Sequence, residues 1–324
     1  MRRDFGQVGF AEAFVSQRAA RNGWMDELVK LIEWTRVEKL CEGIYTSPEG
    51  RASYPVLVYV KILLLQSWYG LTDEGIEEAL DDRLSFRRFA GLPLDAPAPD
   101  HTAIWRFRQK LQGERLEKLF AEFQDQLDAL NLVVRHGTLI DATLLAAAAK
   151  PPRPKEGEVS AVDPQASVVQ RKGKVYYGYK AHVAVDEGSG LIRGVEVTGA
   201  DVHDTLAFPA LVQGDEGRVT ADKAYADKKN RKLLKELGIK DCILHKAHKF
   251  RPLAPWQKQL NAIWSGHRAA VERVPAMLKG RYRLARLRYF GLARNTTAVV
   301  LACIGMNLKR ALVLRRGESA RRPA

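Results

Sequence analysis

The chain has 324 residues, with 52 lysines and arginines against 38 aspartates and glutamates, a formal charge of +14 and a pI near 9.7. That length exceeds the roughly 250–300 residues one core usually serves, and 46% apolar residues suffice to build cores, so two domains are expected and wholesale disorder is excluded. Three scattered cysteines (Cys41, Cys242, Cys303) exclude a disulfide framework or a zinc–thiolate site, and neither a secretion signal nor an apolar run of the ~20 residues a membrane span needs is read, so a basic cytoplasmic protein is expected.

Residues 1–135 read as helical. Leu28, Leu31, Ile32, Val37 and Leu40 recur near a period of 3.6 and predict a helix over 24–44. Residues 54–69 form a largely apolar helix, with Pro55 as a first-turn residue. Thr72 is a candidate cap for the next helix, which runs through LSFRRFAGL to Gly91 and Pro93. After the proline-rich loop 91–100, Asp100 caps a helical region to Asn131 with a break near Gln112–Gly113. Trp105 and Phe107 on it are read as core.

After Asn131 the pattern changes. The stretch VVRHGTLIDATLL predicts a buried strand near Ile140, and residues 150–174, rich in proline, glycine and charge, read as an exposed loop. VYYGYKAHVAVD and LIRGVEVTGAD predict a hairpin; Tyr179 and Lys180 in it are read as cross-strand packing. A short helix over 205–212, a strand RVTADKAY, a helix capped by Asp227 and closed by Gly238, a strand CILHK and a helix over 257–280 follow. The fold class is α+β, or mixed α/β: a helical N-terminal domain over 1–135, a sheet-based core over 136–290, and a C-terminal helix with a basic tail over 291–324.

The charge is not evenly spread. Residues 1–250 hold 36 basic and 36 acidic side chains, whereas residues 251–324 hold 16 and 2, so the whole surplus lies in the last 74 residues. A surplus so confined points to a polyanion there. In RYRLARLRYFGLAR (281–294), Arg281, Arg283, Arg286, Arg288 and Arg294 interleave with tyrosine, leucine and phenylalanine, a pattern that packs apolar residues while aiming guanidinium groups outward, toward phosphate. Arg316 to Arg322 read equally well as a solvated tail.

Three acids stand out against this background. Asp141 follows the apolar TLI, Asp222 ends RVTA, and Glu272 is the one acid between residues 242 and 317. For Glu272 alone, a surface ion pair with Arg268 or Arg273 is the simpler reading; an acid on a buried strand is costly unless paired or bound to a metal. Two strand carboxylates and one helix carboxylate together suit one or two Mg²⁺ ions, hard cations that prefer oxygen ligands. Two such ions support in-line displacement at phosphorus. No GxxxxGK[ST] loop is present, and the histidines lack H-E-x-x-H spacing, so ATP-driven and zinc chemistry are unsupported.

The segments YPVLVYVKILLLQSWYGLTDEGIEEALDDRLSFRRFAGL and PDHTAIWRFRQKL, then TLIDATLL, KGKVYYGYKAHVAVDEGSGLIRGVEVTGADVHDT, VTADKAY and RAAVERVPAMLKGRYRLARLRYFGLARN in that order, resemble bacterial insertion-sequence transposases of the DDE class, of the family typified by insertion sequence five. The resemblance runs over about residues 54–310. It implies a ribonuclease-H-like core, with Asp141, Asp222 and Glu272 as catalytic and metal-binding residues. It implies two Mg²⁺ ions, with Mn²⁺ as a substitute. It places Arg268 and Lys279 in a Tyr-Arg-Glu-Lys signature whose aromatic position is Ser265 here. On one helix, positions four before and seven after Glu272 project within about 40° of it, so the two cations would grip phosphates beside the acid. Pro275 is expected to kink that helix by clashing with the carbonyl of Val271. His203 and Asp204 match the GADVHDT block but also suit a helix start. The implied partners are DNA, both as terminal inverted repeats and as target, and further copies of the chain in a dimer or larger assembly, with no membrane; the implied place is the bacterial nucleoid. A DNA-binding repressor without catalysis and a stand-alone nuclease of the same fold are the competing readings.

Overall fold

The computed structural model describes residues 23–45, 53–151, 162–171, 173–247, 250–267 and 271–321. The chain divides into two compact units, residues 1–129 with 300–324, and residues 130–299.

The first unit is helical: α1 (Gly23–Leu31), α2 (Trp34–Leu40), α3 (Val56–Tyr69), α4 (Asp73–Asp82), α5 (Leu84–Ala90), α6 (His101–Lys110) and α7 (Glu114–Ala129). The single helix expected over 24–44 is two, because Glu33 leaves helical geometry at φ −81°, ψ 86°. Apolar side chains surround α3 on all sides, and even Lys61 is buried, its ammonium 4.7 Å from the Trp34 ring. Such a helix belongs at the centre of a bundle. The expected caps are in place: Thr72 Oγ1 accepts from the Gly75 N–H at 3.0 Å, and Asp100 Oδ1 from the Ala103 N–H at 2.7 Å. Phe107 stacks on Tyr59 with ring centroids 4.9 Å apart, but Trp105 is 40% exposed, a correction to its reading as core. Its helix turns residues 104 and 107 inward, and Trp105 lies off that face.

The second unit is built on a six-stranded mixed sheet of β1 (Thr138–Ala146), β2 (Ser167–Arg171), β3 (Lys174–Asp186), β4 (Ile192–Gly199), β5 (Arg218–Ala221) and β6 (Lys240–Ile243). Strands β1, β2 and β4 pair antiparallel to β3, while β1–β5 and β5–β6 are parallel. The helices of this unit are α8 (Asp204–Leu211), α9 (Lys228–Glu236), α10 (Pro255–His267) and α11 (Arg273–Lys279). One face of the sheet buries Ile140, Ala184, Val219, Ala221 and Ile243 with Phe208, Leu211, Tyr225 and Leu234. The segment expected as a loop over 150–174 contains β2, because Val168 and Val169 give it enough β-branched character to add an edge strand to β3. Residues 152–161 and 172 lie outside the described residues.

The last helix, α12 (Leu292–Arg321), starts in the sheet unit and contributes to the helical unit from Val300 onward. Within the helical unit, Gly305 leaves room for Trp68, whose Nε1–H donates to its carbonyl at 2.9 Å. Residues 292–317 are long and apolar enough to cross a membrane by composition, contrary to expectation. However, 72% of that window is buried in the protein, as in a core helix. In the basic tail, Arg316 pairs with Glu27 at 2.7 Å.

Candidate active site

Asp141 lies midway along β1, and Asp222 immediately follows β5. In the parallel β1–β5 pair, Ile140 is opposite Ala221, so the next positions are the two aspartates. Adjacent strands lie about 4.8 Å apart, and residues in register point to the same side of the sheet. Ile140 and Ala221 belong to the buried face, so both carboxylates project from the opposite one. Asp222 also caps a short 3₁₀ turn over Lys223–Tyr225, its Oδ1 accepting from the Lys223 N–H at 2.7 Å. This cap fixes the start of the turn and with it the direction of the carboxylate. Two carboxylates so placed suit Mg²⁺, which takes one or two protein carboxylates and completes its shell with water and substrate phosphate.

Glu272 is arranged differently. It is the exposed N-cap residue of α11, and α11 packs against β1, the strand that carries Asp141. Among the described residues no three His, Cys, Asp or Glu side chains are grouped as a metal site. The strand register sets the positions of Asp141 and Asp222 side by side, and among the described residues Glu272 is not grouped with them. The helix expected over 257–280 is two helices, α10 ending at His267 and α11 starting at Arg273. Arg268 lies outside the described residues, and Ser265 is exposed near the end of α10. Pro275 is the third residue of α11, in a first turn where a missing N–H costs nothing, so it starts a helix instead of kinking one. Glu272 itself has helical φ and ψ, so Lys279, seven residues on, projects on its face.

Beyond α11 the interleaved pattern is realised in space. Tyr282 and Leu287 are buried, while Arg281, Arg283, Arg286 and Arg288 are exposed. The segment is stitched to the end of β1: the Ala146 N–H donates to the Ala285 carbonyl at 3.0 Å, and the Leu287 N–H to the Ala146 carbonyl at 2.8 Å. Arg286 Nη2 donates to the Ala148 carbonyl at 2.9 Å. The 285–287 stretch of the arginine-bearing segment is thus hydrogen-bonded to the strand that carries Asp141.

On the opposite face two buried polar pairs support the sheet, and neither was legible as a pair in the sequence. Lys180 Nζ is 2.6 Å from Asp204 Oδ1 and also donates to the Val202 carbonyl at 2.6 Å. His182 Nδ1 is 2.9 Å from the Tyr225 hydroxyl, which anchors the turn begun by Asp222. The one signal for the latter is the tyrosine three residues after the acid in VTADKAY. Burial pushes His182 down to about 4 from its ordinary 6.5. The folded state therefore holds fewer protons than the unfolded one between those values, and stability contributed by neutral His182 is lost as pH falls from about 6.5 toward 4. At roughly 1.4 kcal/mol per unit, this loss is about 3 kcal/mol. Urea unfolding across this range is expected to show that slope in the native chain and a flatter one in His182→Gln. Equal slopes would remove the histidine as its source.

Other readings resolve simply. His203 caps α8, its Nδ1 accepting from the Thr205 N–H at 3.3 Å, while Asp204 is occupied by Lys180. Tyr179 and Lys180 are buried, in keeping with packing.

Residues 134–308 match the family described as Transposase DDE domain, and residues 13–110 match the family described as Transposase domain (DUF772). Among solved structures the chain is similar to a piggyBac transposase synaptic complex with hairpin DNA, at 12% identity and a TM-score of 0.46, covering 92% of this chain and 75% of that one. It is also similar to the Mos1 strand transfer complex, at 9% identity and a TM-score of 0.20, covering 79% and 86%.

Proposed function

The chain belongs to the transposase DDE domain family, and from that premise we propose that it is a metal-dependent DNA transposase of the insertion-sequence type, with a ribonuclease-H-like core. It binds the terminal inverted repeats of its element, cleaves at their ends with water and joins the 3′-hydroxyl ends to target DNA. The observation that carries this reading is that Asp141 and Asp222 each directly follow a residue of the paired Ile140 and Ala221 on the adjacent parallel strands β1 and β5. The two aspartates would hold one Mg²⁺ or Mn²⁺, and Glu272, brought in against bound DNA, would complete a second ion's site. The ions supply activation of the attacking oxygen and stabilisation of the leaving one. Residues 1–135 serve end recognition, 136–290 catalysis, and 291–324 form the C-terminal helix and tail. Joining two ends requires at least two copies of the chain on DNA.

In this reading Arg268, Lys279, Arg281, Arg283, Arg286 and Arg288 hold the phosphates of the reacting strands. Each phosphate neutralised releases a counterion, with a slope of roughly −0.9 per phosphate in a plot of log affinity against log salt. Replacing Arg281, Arg283, Arg286 and Arg288 together with glutamine is expected to weaken DNA binding and flatten that slope by about 2 to 4. An unchanged slope would return these arginines to a solvated surface. The exposed position of Glu272 favours a second reading, a DNA-binding repressor without catalysis. Incubating a labelled element end with and without Mg²⁺ separates the two, and product analysis for target-joined ends separates a transposase from a nuclease that only cuts.

A further inference from the structure

A cavity of about 620 Å³ lies at the end of β1, between that strand, the start of β3, the end of α11 and the 285–286 segment. Its lining combines Leu144, Val175 and Tyr176 with three cations, Lys150, Lys279 and Arg286. Among the described residues no acidic side chain lines it. Val175 and Tyr176 are 65% and 40% exposed, an apolar edge left open to water. The strands are drawn together there by Gly178, at φ 153°, where a Cβ would lie 2.2 Å from the Leu145 carbonyl oxygen. The hydrogen bond from Arg286 to the Ala148 carbonyl sets its guanidinium beside the opening. Burial and the nearby Arg171 hold Lys279 below the usual lysine range. Arg171 thus adds positive charge beside Lys279, and an anion there would relieve it.

We propose that this cavity binds a single unstacked nucleotide of the DNA, its base against Tyr176 and the apolar lining and its phosphate on Lys150, Lys279 and Arg286. The inference rests on the reading of the chain as a DNA transposase and adds a nucleotide-binding pocket, with Tyr176 and Lys150 as new contacts. A bare phosphate would use the cations but leave the apolar lining wet. A base presents a π-face to the tyrosine, and its phosphate takes the charge-assisted hydrogen bonds. Bases in a duplex are buried in their stack, so a cavity open on one side takes a base only after it has left that stack.

The test uses the full chain and a fluorescent probe, etheno-deoxyadenosine 5′-monophosphate, followed by anisotropy. The probe is expected to bind, to be displaced by a short single-stranded oligothymidine, and to resist an equal concentration of inorganic phosphate. Tyr176→Ala and Lys150→Gln should each weaken it about tenfold or more, whereas Tyr176→Phe, which keeps the ring, should retain it. Unchanged urea midpoints in these variants confirm that the fold is intact. Displacement by phosphate as effective as by nucleotide would overturn the proposal, because the lining would then play no part. Absence of probe binding, or full affinity in Tyr176→Ala, would overturn it as well. Failure of the transposase reading is distinguishable: the native chain would then not cut element ends in Mg²⁺, whatever the probe does. Cutting without probe binding would defeat the pocket alone.

Discussion

Asp141→Asn is expected to lower end cleavage and strand joining by at least about a thousandfold, roughly 4 kcal/mol of lost transition-state stabilisation, while binding to element ends persists. The substitution keeps size and polarity and removes only the charge, so the β1–β3 and β1–β5 pairings that hold the position remain. Asp222→Asn is expected to be as severe, because Asp222 follows Ala221 as Asp141 follows its paired Ile140. The double variant should be little worse than either single one, since groups that act on the same ion are not additive. Gel analysis of labelled end substrates reads all three outcomes. Undiminished cleavage by Asp141→Asn would remove this residue from the chemistry.

Lys180→Met is expected to destabilise the sheet unit by about 3–5 kcal/mol, the usual cost of stripping one partner from a buried ion pair. The side chains of Lys180 and Asp204 are 5% and 6% exposed, so the carboxylate left behind cannot be rehydrated without opening the fold. Arg171, 3.5 Å from the other Asp204 oxygen, is half exposed and offsets only part of that cost. Adding Asp204→Leu to Lys180→Met should restore most of the stability, because an apolar pair of similar volume needs no compensation. Urea unfolding of the three variants decides the matter. A loss below about 1 kcal/mol in Lys180→Met would show that the pair is solvated.

Much of this architecture could be read from local chemistry. Thr72 and Asp100 announce helix starts because their side-chain oxygens satisfy N–H groups a turn ahead, a requirement that depends on a few neighbouring residues only. The two aspartates were legible because an acid beside an apolar strand core needs a purpose. What escaped was non-local or balanced between alternatives. Ser167–Arg171 has too few apolar residues to declare itself a strand until β3 offers an edge. The division between α10 and α11 carries one glycine, Gly266, which a helix also tolerates, and Pro275 reads equally as a kink or a start. The pairing of His182 with Tyr225 spans 43 positions and depends on the fold to bring the rings together.

The central claim, that Asp141 and Asp222 share one divalent ion, is tested most directly by Mn²⁺ titration of the DNA-free chain, read by electron paramagnetic resonance. Bound Mn²⁺ is expected in the native chain, to be lost in both Asp141→Asn and Asp222→Asn, and to remain in Glu272→Gln, whose side chain stands outside the pair. Undiminished Mn²⁺ binding in both aspartate variants would contradict the account.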